Sequence, residues 1–363
     1  MSKYIIEINP LFSISLYIEL TFTFFFSLTA LFFMRKFALN VGLVDKPNAR
    51  KLHVGAVPLV GGLSICISIL YFLFNHPDII LHTELYAASI LILVVIGALD
   101  DKYDISFKLR FLVQGALSVA MMVLGKIELS TAGNIFGTGP ILLGWIGYIV
   151  TIFAVVGAIN AFNMVDGIDG LLGALSTVTF GGLGYLMYYY GQFNLAYFCL
   201  VLMIIITPYI LLNLGAFGRK RRVFMGDAGS MLIGFTVIWL LLLSSQENRP
   251  LMRPVTALWL IAVPLMDMAA IMIRRIKRGD SPFKPDREHL HHIFQRIGFS
   301  SSQTLLIITS ISATYAIIGI LGEVYKVPEY YMFYLFIGFF SIYLFMLMKA
   351  WIITKAIKNT MSK

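Results

Sequence analysis

Three aspartates fall within five residues, at Asp100, Asp101 and Asp104, directly after the apolar run Leu91 to Ile96. Carboxylates placed where an apolar segment leaves lipid are costly unless something pairs with them. Neighbouring carboxylates also repel one another, and a divalent cation or a metal–polyphosphate complex relieves that repulsion. A second group, Asn160, Asn163, Asp166 and Asp169, recurs every three residues and predicts one polar stripe on a helix. Gly167 and Gly170 beside it permit a turn or a close backbone approach. Helix capping would need one such residue, not four.

A third element, Gly226-Asp227-Ala228-Gly229, sets a single carboxylate between glycines at the start of an apolar run, where a helix N-terminus favours anions. The fourth is the histidine group His289, His291 and His292. Pro285 and Asp286 suit a helix start and Gly298 a stop. On that helix Leu290, Ile293, Phe294 and Ile297 share an apolar face, as at a membrane surface. His289, His292 and Arg296 lie opposite, with His291 to one side. No cysteine is near and His-x-His-His is not a usual structural zinc spacing, so donors to a pyrophosphate or a sugar fit better. The basic stretch Gly42 to His53 would hold an anionic headgroup or serve equally as a topology anchor, and the run Arg219 to Arg222 reads mainly as an anchor.

The elements that must position these groups are membrane helices. The 363 residues are 59% hydrophobic and 13% charged, with a mean hydropathy of +0.84, which describes an all-α integral membrane protein. No hydrophilic block is long enough for a separate domain, so residues 1–363 form a single polytopic membrane domain. Cys66 and Cys199 lie in apolar runs and read as small core residues rather than a disulfide. The +9 balance fits positive-inside topology and anionic substrates or membrane lipids as partners, not nucleic acid.

Runs long enough to span predict eleven transmembrane helices, near 11–33, 57–74, 85–99, 109–124, 141–160, 170–189, 194–214, 228–245, 254–273, 304–321 and 331–350. The first is too long for a signal-peptide core. Segments 34–56, 100–110, 161–169, 215–227, 274–303 and the tail from Lys349 hold 23 of the 28 lysines and arginines. The loops near 34–56, 100–108, 161–169, 215–227 and 274–303 are therefore expected to be cytoplasmic, with a periplasmic N-terminus and a cytoplasmic C-terminus. Ten of the eleven aspartates fall on that side, which is what a metal–phosphate site needs.

Taken together and in this order, Asp100-Asp101, Asn160 to Gly170, Phe224-Met225-Gly226-Asp227 and His289 to His292 resemble the polyprenyl-phosphate N-acetylhexosamine-1-phosphate transferases. Within that family they resemble most the bacterial branch that joins N-acetylglucosamine-1-phosphate to undecaprenyl phosphate. Leu290, where isoleucine is usual, is a conservative departure. The resemblance implies an inner-membrane enzyme that uses UDP-N-acetylglucosamine, undecaprenyl phosphate and Mg2+ or Mn2+, releases UMP, and starts enterobacterial common antigen or O-antigen synthesis. It implies Asp227 as metal ligand with Asn163, and Asp100 and Asp101 facing the lipid phosphate and the metal. Lys108 would meet a phosphate, Phe224 stack on uracil, Asp169 accept its N–H, and Asn213 contact the nucleoside. Asp166 would join the substrate site, and Arg287, His289, His291 and His292 would meet the sugar diphosphate. A homodimer is left open. The alternatives are the UDP-N-acetylmuramoyl-pentapeptide transferase of the same family, a membrane prenyltransferase reading Asp100-Asp101-x-x-Asp104, and a secondary transporter.

Overall fold

The computed structural model describes residues 14–45, 55–246, 251–282 and 288–349. Among them the chain forms α1 (Ile14–Val41), a short antiparallel pair β1 (Val44–Asp45) and β2 (Val57–Pro58), α2 (Gly61–Asn75), α3 (Thr83–Tyr103), α4 (Phe107–Gly125) and α5 (Ile146–Val165). These are followed by α6 (Leu171–Tyr189), α7 (Phe193–Asn213), a 3-10 turn at Arg219–Arg221 and α8 (Gly226–Ser245). The chain then continues through α9 (Pro254–Leu260), α10 (Ala262–Lys277), α11 (Leu290–Ile297), α12 (Ser301–Val324) and α13 (Glu329–Met348).

Nine of these helices are long and apolar enough to cross a membrane, ten if α9 and α10 count as one broken span. Within the described residues every predicted span falls on a helix, with three differences. The first helix runs on to Val41, well past residue 33. The second is only 15 residues long. The ninth breaks at Ile261, where α9 and α10 meet at 83°. Ile261 has a non-helical backbone, and Pro264 supplies no N–H in the first turn of α10.

The bundle is organised around α8. From Ala228 to Ser245 every residue is buried, and α2, α3, α5 and α6 surround it. Close approach to its first turn requires glycine on the neighbours. A Cβ on Gly97 would sit 2.3 Å from the Ala228 Cα, and one on Gly62 would sit 2.2 Å from the Gly229 nitrogen. At the opposite end Glu323 is buried and binds α9 and α6. It accepts from Arg253 Nε at 3.0 Å, Thr256 Oγ1 at 2.5 Å and Tyr190 OH at 2.8 Å. Exposed aromatic and aliphatic side chains cover α1, α5 and α13, as expected of lipid-facing helices.

Candidate active site

The aspartate stretch is helical, not a loop. α3 runs through Asp100 and Asp101 to Tyr103 and closes at Asp104, whose left-handed backbone (φ 51°) lets its N–H reach the Asp100 carbonyl at 2.8 Å. Asp104 is thus the C-cap of α3. The turn sends α4 back along α3, and Arg110, at the fourth position of α4, reaches the acids. Its Nη1 donates to Asp100 Oδ2 at 2.5 Å and to Asp227 Oδ2 at 3.1 Å. Asp100 is buried, so its charge needs this partner.

Asp101 makes a different contact. Its Oδ1 accepts the Asp227 N–H at 2.9 Å and its Oδ2 the Ala228 N–H at 3.3 Å, so a carboxylate from α3 caps the N-terminus of α8. Gly226, at φ 73°, leaves room for it, since a Cβ there would lie 2.4 Å from Oδ2. From α5, Asn163 Nδ2 donates to Asp227 Oδ1 and to Ser230 Oγ, both at 2.7 Å. A carboxylate can only accept, so the amide nitrogen must face Asp227, and the Asn163 carbonyl oxygen keeps no partner among the described residues.

The expected four-residue polar stripe is only half present. Asn160 and Asn163 lie on α5, Asn160 donating to Gln114 Oε1 at 3.0 Å, but α5 ends at Val165. Asp166 is its C-cap, and Asp169 lies in the turn before α6, where Arg222 Nη1 donates to its Oδ2 at 2.8 Å. Gly167 and Gly170 break the helical register, so the three-residue spacing does not continue into space. The Asp166 carboxyl opens on the mouth of the site but has protein on its other sides. Desolvation, and then the charges of Asp227, Asp101 and Asp169, push its pKa up to about 7.

Asn213 is buried, and its amide is committed elsewhere. Its Oδ1 accepts from the Gly170 N–H at 2.5 Å, and its Nδ2 donates to the Val223 carbonyl at 2.8 Å. It ties the start of α6 to the loop before α8. Phe224 holds the same loop through its backbone, its carbonyl accepting from Gly61 N–H at 2.9 Å. Its half-buried side chain stays at the mouth of α8. Lys108 is exposed and makes no ion pair among the described residues, whereas Arg110, two residues on, meets the acids. Arg287 lies outside the described residues.

The histidines also depart from the helical-face expectation. α11 begins only at Leu290, so His289 is its N-cap and turns inward. His289 Nδ1 lies 2.8 Å from Asp267 Oδ2, and both residues are buried. Asp267 Oδ1 accepts from Tyr343 OH at 2.6 Å and from the Leu290 N–H at 3.1 Å. Since Asp267 only accepts, Nδ1 carries the proton and Nε2 is left without a partner among the described residues. The 83° break sets the direction of α10, the helix that carries Asp267.

His291 is buried beside His289, the rings parallel within 3° and 5.8 Å apart, with His292 4.2 Å further along. It packs on Gly167, where a Cβ would fall 2.1 Å from Nε2. That nitrogen is buried without a hydrogen bond among the described residues. Desolvation, then the neighbouring His292 and His289, lower the His291 pKa to about 3, so it is neutral at physiological pH. Leu290 and Phe294 pack on the main core and Ile293 on α10 and α13, while Arg296 is exposed. The contact of His291 with Gly167 joins the histidine segment to the loop that carries Asp166.

The structure therefore brings Asp100, Asp101, Asn163, Asp166 and Asp227 together at one end of α8, with the histidines alongside. It adds Arg110, Ser230, Asp267 and Tyr343, to which no role was given from sequence. Among the described residues no three Asp, Glu, His or Cys side chains converge as a ready metal cage. The donors present are nonetheless oxygens. Two carboxylates meet at one guanidinium nitrogen, and an unpaired amide oxygen stands beside them. That set fits Mg2+, which takes one or two carboxylates and completes its shell with water and substrate phosphates.

Apolar spanning helices, with carboxylates and imidazoles gathered at one end, define a membrane-embedded protein. Residues 84–245 match the model of glycosyl transferase family 4. Three similar proteins are each described as an undecaprenyl-phosphate alpha-N-acetylglucosaminyl 1-phosphate transferase. That of Yersinia pestis is 50% identical over 94% of both chains. That of Escherichia coli K12 is 51% identical over 94% of this chain and 93% of its own. That of Haemophilus influenzae is 49% identical over 93% and 95%. The chain belongs to this family of polyprenyl-phosphate N-acetylglucosamine-1-phosphate transferases.

Proposed function

We propose that this protein transfers N-acetylglucosamine-1-phosphate from UDP-N-acetylglucosamine to undecaprenyl phosphate, giving N-acetylglucosaminyl-diphospho-undecaprenol and UMP. The observation that carries the reading is the meeting of Asp100, Asn163 and Asp227, from α3, α5 and α8, in a chain half identical to transferases of that name. The charge distribution supports eleven spans with the site on the cytoplasmic face of a bacterial inner membrane, where a nucleotide sugar is found. The pathway we assign is the first step of enterobacterial common antigen or O-antigen synthesis.

An oxygen of the lipid phosphate attacks the β-phosphorus of the donor, the bond from that phosphorus to the bridging oxygen of the α-phosphate breaks, and UMP leaves. A phosphate monoester has a second pKa of about 6, so the nucleophile is already mostly dianionic at neutral pH and a general base gains little. Positioning and charge neutralisation then dominate. Asp227 and the Asn163 carbonyl would hold Mg2+ (or Mn2+), with the remaining lone pairs of Asp101 available to it, and the bound ion would neutralise the diphosphate. Asp100 orients the acceptor side. Phe224 stacks on uracil, while Asp169 and Asp166 bound the nucleotide side. His289, through Nε2, His292 and Arg287 meet the sugar diphosphate, and His291 supports them by packing on Gly167.

The test is purified protein with undecaprenyl phosphate, Mg2+ and a panel of UDP-sugars, with UMP measured. UMP from UDP-N-acetylglucosamine is expected. Its absence, or UMP only from UDP-N-acetylmuramoyl-pentapeptide, refutes the donor assignment, and pyrophosphate release would point to a prenyltransferase.

A further inference from the structure

Arg110 makes both its contacts through one nitrogen. Nη1 serves Asp100 and Asp227 together, while Nη2 and Nε have no partner among the described residues. The two contacts are not equivalent. Asp100 is almost wholly buried, its side chain 4% exposed, and holds Nη1 at 2.5 Å. Asp227 is 35% exposed, holds Nη1 at 3.1 Å and already has Asn163 on its other oxygen. The pairing with Asp100 is therefore the fixed one, and that with Asp227 is the one open to exchange.

A divalent cation on Asp227 would compete with the guanidinium for the same carboxylate, because two cations repel at that separation. Arg110 would remain tied to Asp100 and lose its second hold. A guanidinium with free N–H groups in a fixed fork matches a phosphate in bidentate fashion. The surroundings indicate which phosphate. Phe107, one turn before Arg110 on the same face of α4, is 47% exposed, an apolar neighbour suited to a hydrocarbon chain rather than to a nucleotide.

We propose that Arg110 is the residue that receives the phosphate of the polyprenyl acceptor, occupying Asp227 when no metal is bound and turning to the acceptor, with Asp100 as its pivot, when metal takes that carboxylate. The proposal rests on the transferase reading, and its test separates the two. Mn2+ binding to the purified protein without substrates is followed by the electron paramagnetic resonance signal of free Mn2+, and KM for each substrate is taken from UMP release.

Arg110→Met should tighten Mn2+ binding about tenfold and raise KM for undecaprenyl phosphate tenfold or more, with KM for the nucleotide sugar within about twofold. Arg110→Lys, which keeps the charge but lacks the fork, should leave Mn2+ affinity near that of the parent and still raise the acceptor KM. It carries the test if Arg110→Met does not fold. Lys102→Met, the same charge loss on an exposed neighbour, should move neither quantity. Unchanged or weaker Mn2+ binding in Arg110→Met, or a defect confined to the nucleotide sugar, overturns the proposal. If the parent protein binds Mn2+ but releases no UMP, the transferase reading fails, while the Mn2+ comparison still decides whether Arg110 competes for Asp227.

Discussion

Asp267→Asn tests whether the buried partner of His289 matters for the reaction. Asp267 receives three hydrogen bonds, from His289 on one oxygen and from Tyr343 and the Leu290 N–H on the other. An amide keeps the second pair of bonds but places an NH2 against the Nδ1–H of His289. In the neutral imidazole the proton must then sit on Nε2, so the atom offered to the substrate changes from acceptor to donor. A hydrogen bond to a charged group is worth about 1.5–3 kcal/mol, or about 10- to 150-fold in a rate or equilibrium. Asp267→Asn should therefore lower kcat for UMP release by about 10- to 100-fold, with KM for undecaprenyl phosphate changed less than about threefold. Solid-state NMR of 15N-histidine protein should show the Nδ1–H tautomer at His289 replaced by Nε2–H. A variant that retains kcat within about twofold, while His289→Gln is inactive, would refute the argument that Asp267 sets the working tautomer.

Two further outcomes follow from the same segment. Gly167→Ala would place a Cβ 2.1 Å from a buried His291 ring that has no room to withdraw, so α11 must shift; kcat should fall at least tenfold while the protein stays monodisperse in detergent, and near-parental kcat would show that the contact is slack. His291, whose pKa is about 3 in the packed state against about 6.5 when exposed, favours packing at neutral pH. Below about pH 6.5 the opened state takes up a proton that the packed state refuses, so protection of the α11 amides should drop by about 1.4 kcal/mol between pH 7.5 and 5.5, measured by hydrogen exchange corrected for intrinsic rate. His289, His292 and Asp267 face the same ring, so the drop must vanish in His291→Gln to be assigned to His291.

The carboxylates at the ends of apolar runs were legible because lipid makes an unexplained charge expensive, so Asp100, Asp101 and Asp227 stood out by position, and Asn163 by its spacing from its neighbours. Arg110 did not, because an arginine just inside a span reads as a headgroup anchor, and only the turn at Asp104 shows that it points back at the acids. Asp267 was hidden by the bend. In a straight ninth span it is one more intramembrane acid, and only the 83° break at Ile261 and the fold-back of α11 bring a histidine against it. The structural part of Asn213 was hidden as well, since only the fold shows its buried amide bridging two backbone groups. The polar stripe failed after Val165, where a periodicity count cannot see that a helix has stopped. The spans themselves were read from hydropathy because backbone in lipid has to satisfy its own hydrogen bonds, which leaves helices and closed barrels, and uninterrupted apolar runs of about 20 residues select the helix.

The complete enclosure of α8 has a mechanical consequence. Bilayers act on membrane proteins through the helices that face lipid, which tilt or shift as hydrocarbon thickness changes. Here α1, α5 and α13 present such faces, whereas α8 presents none from Ala228 onward. Asp227, the Asp101 cap and the Asn163 contact are all referenced to that inner rod, so the height of the acidic centre is set by protein-on-protein packing. A thinner or thicker bilayer should first alter how the long-chain acceptor approaches the centre, and leave the spacing of the reacting groups as it was.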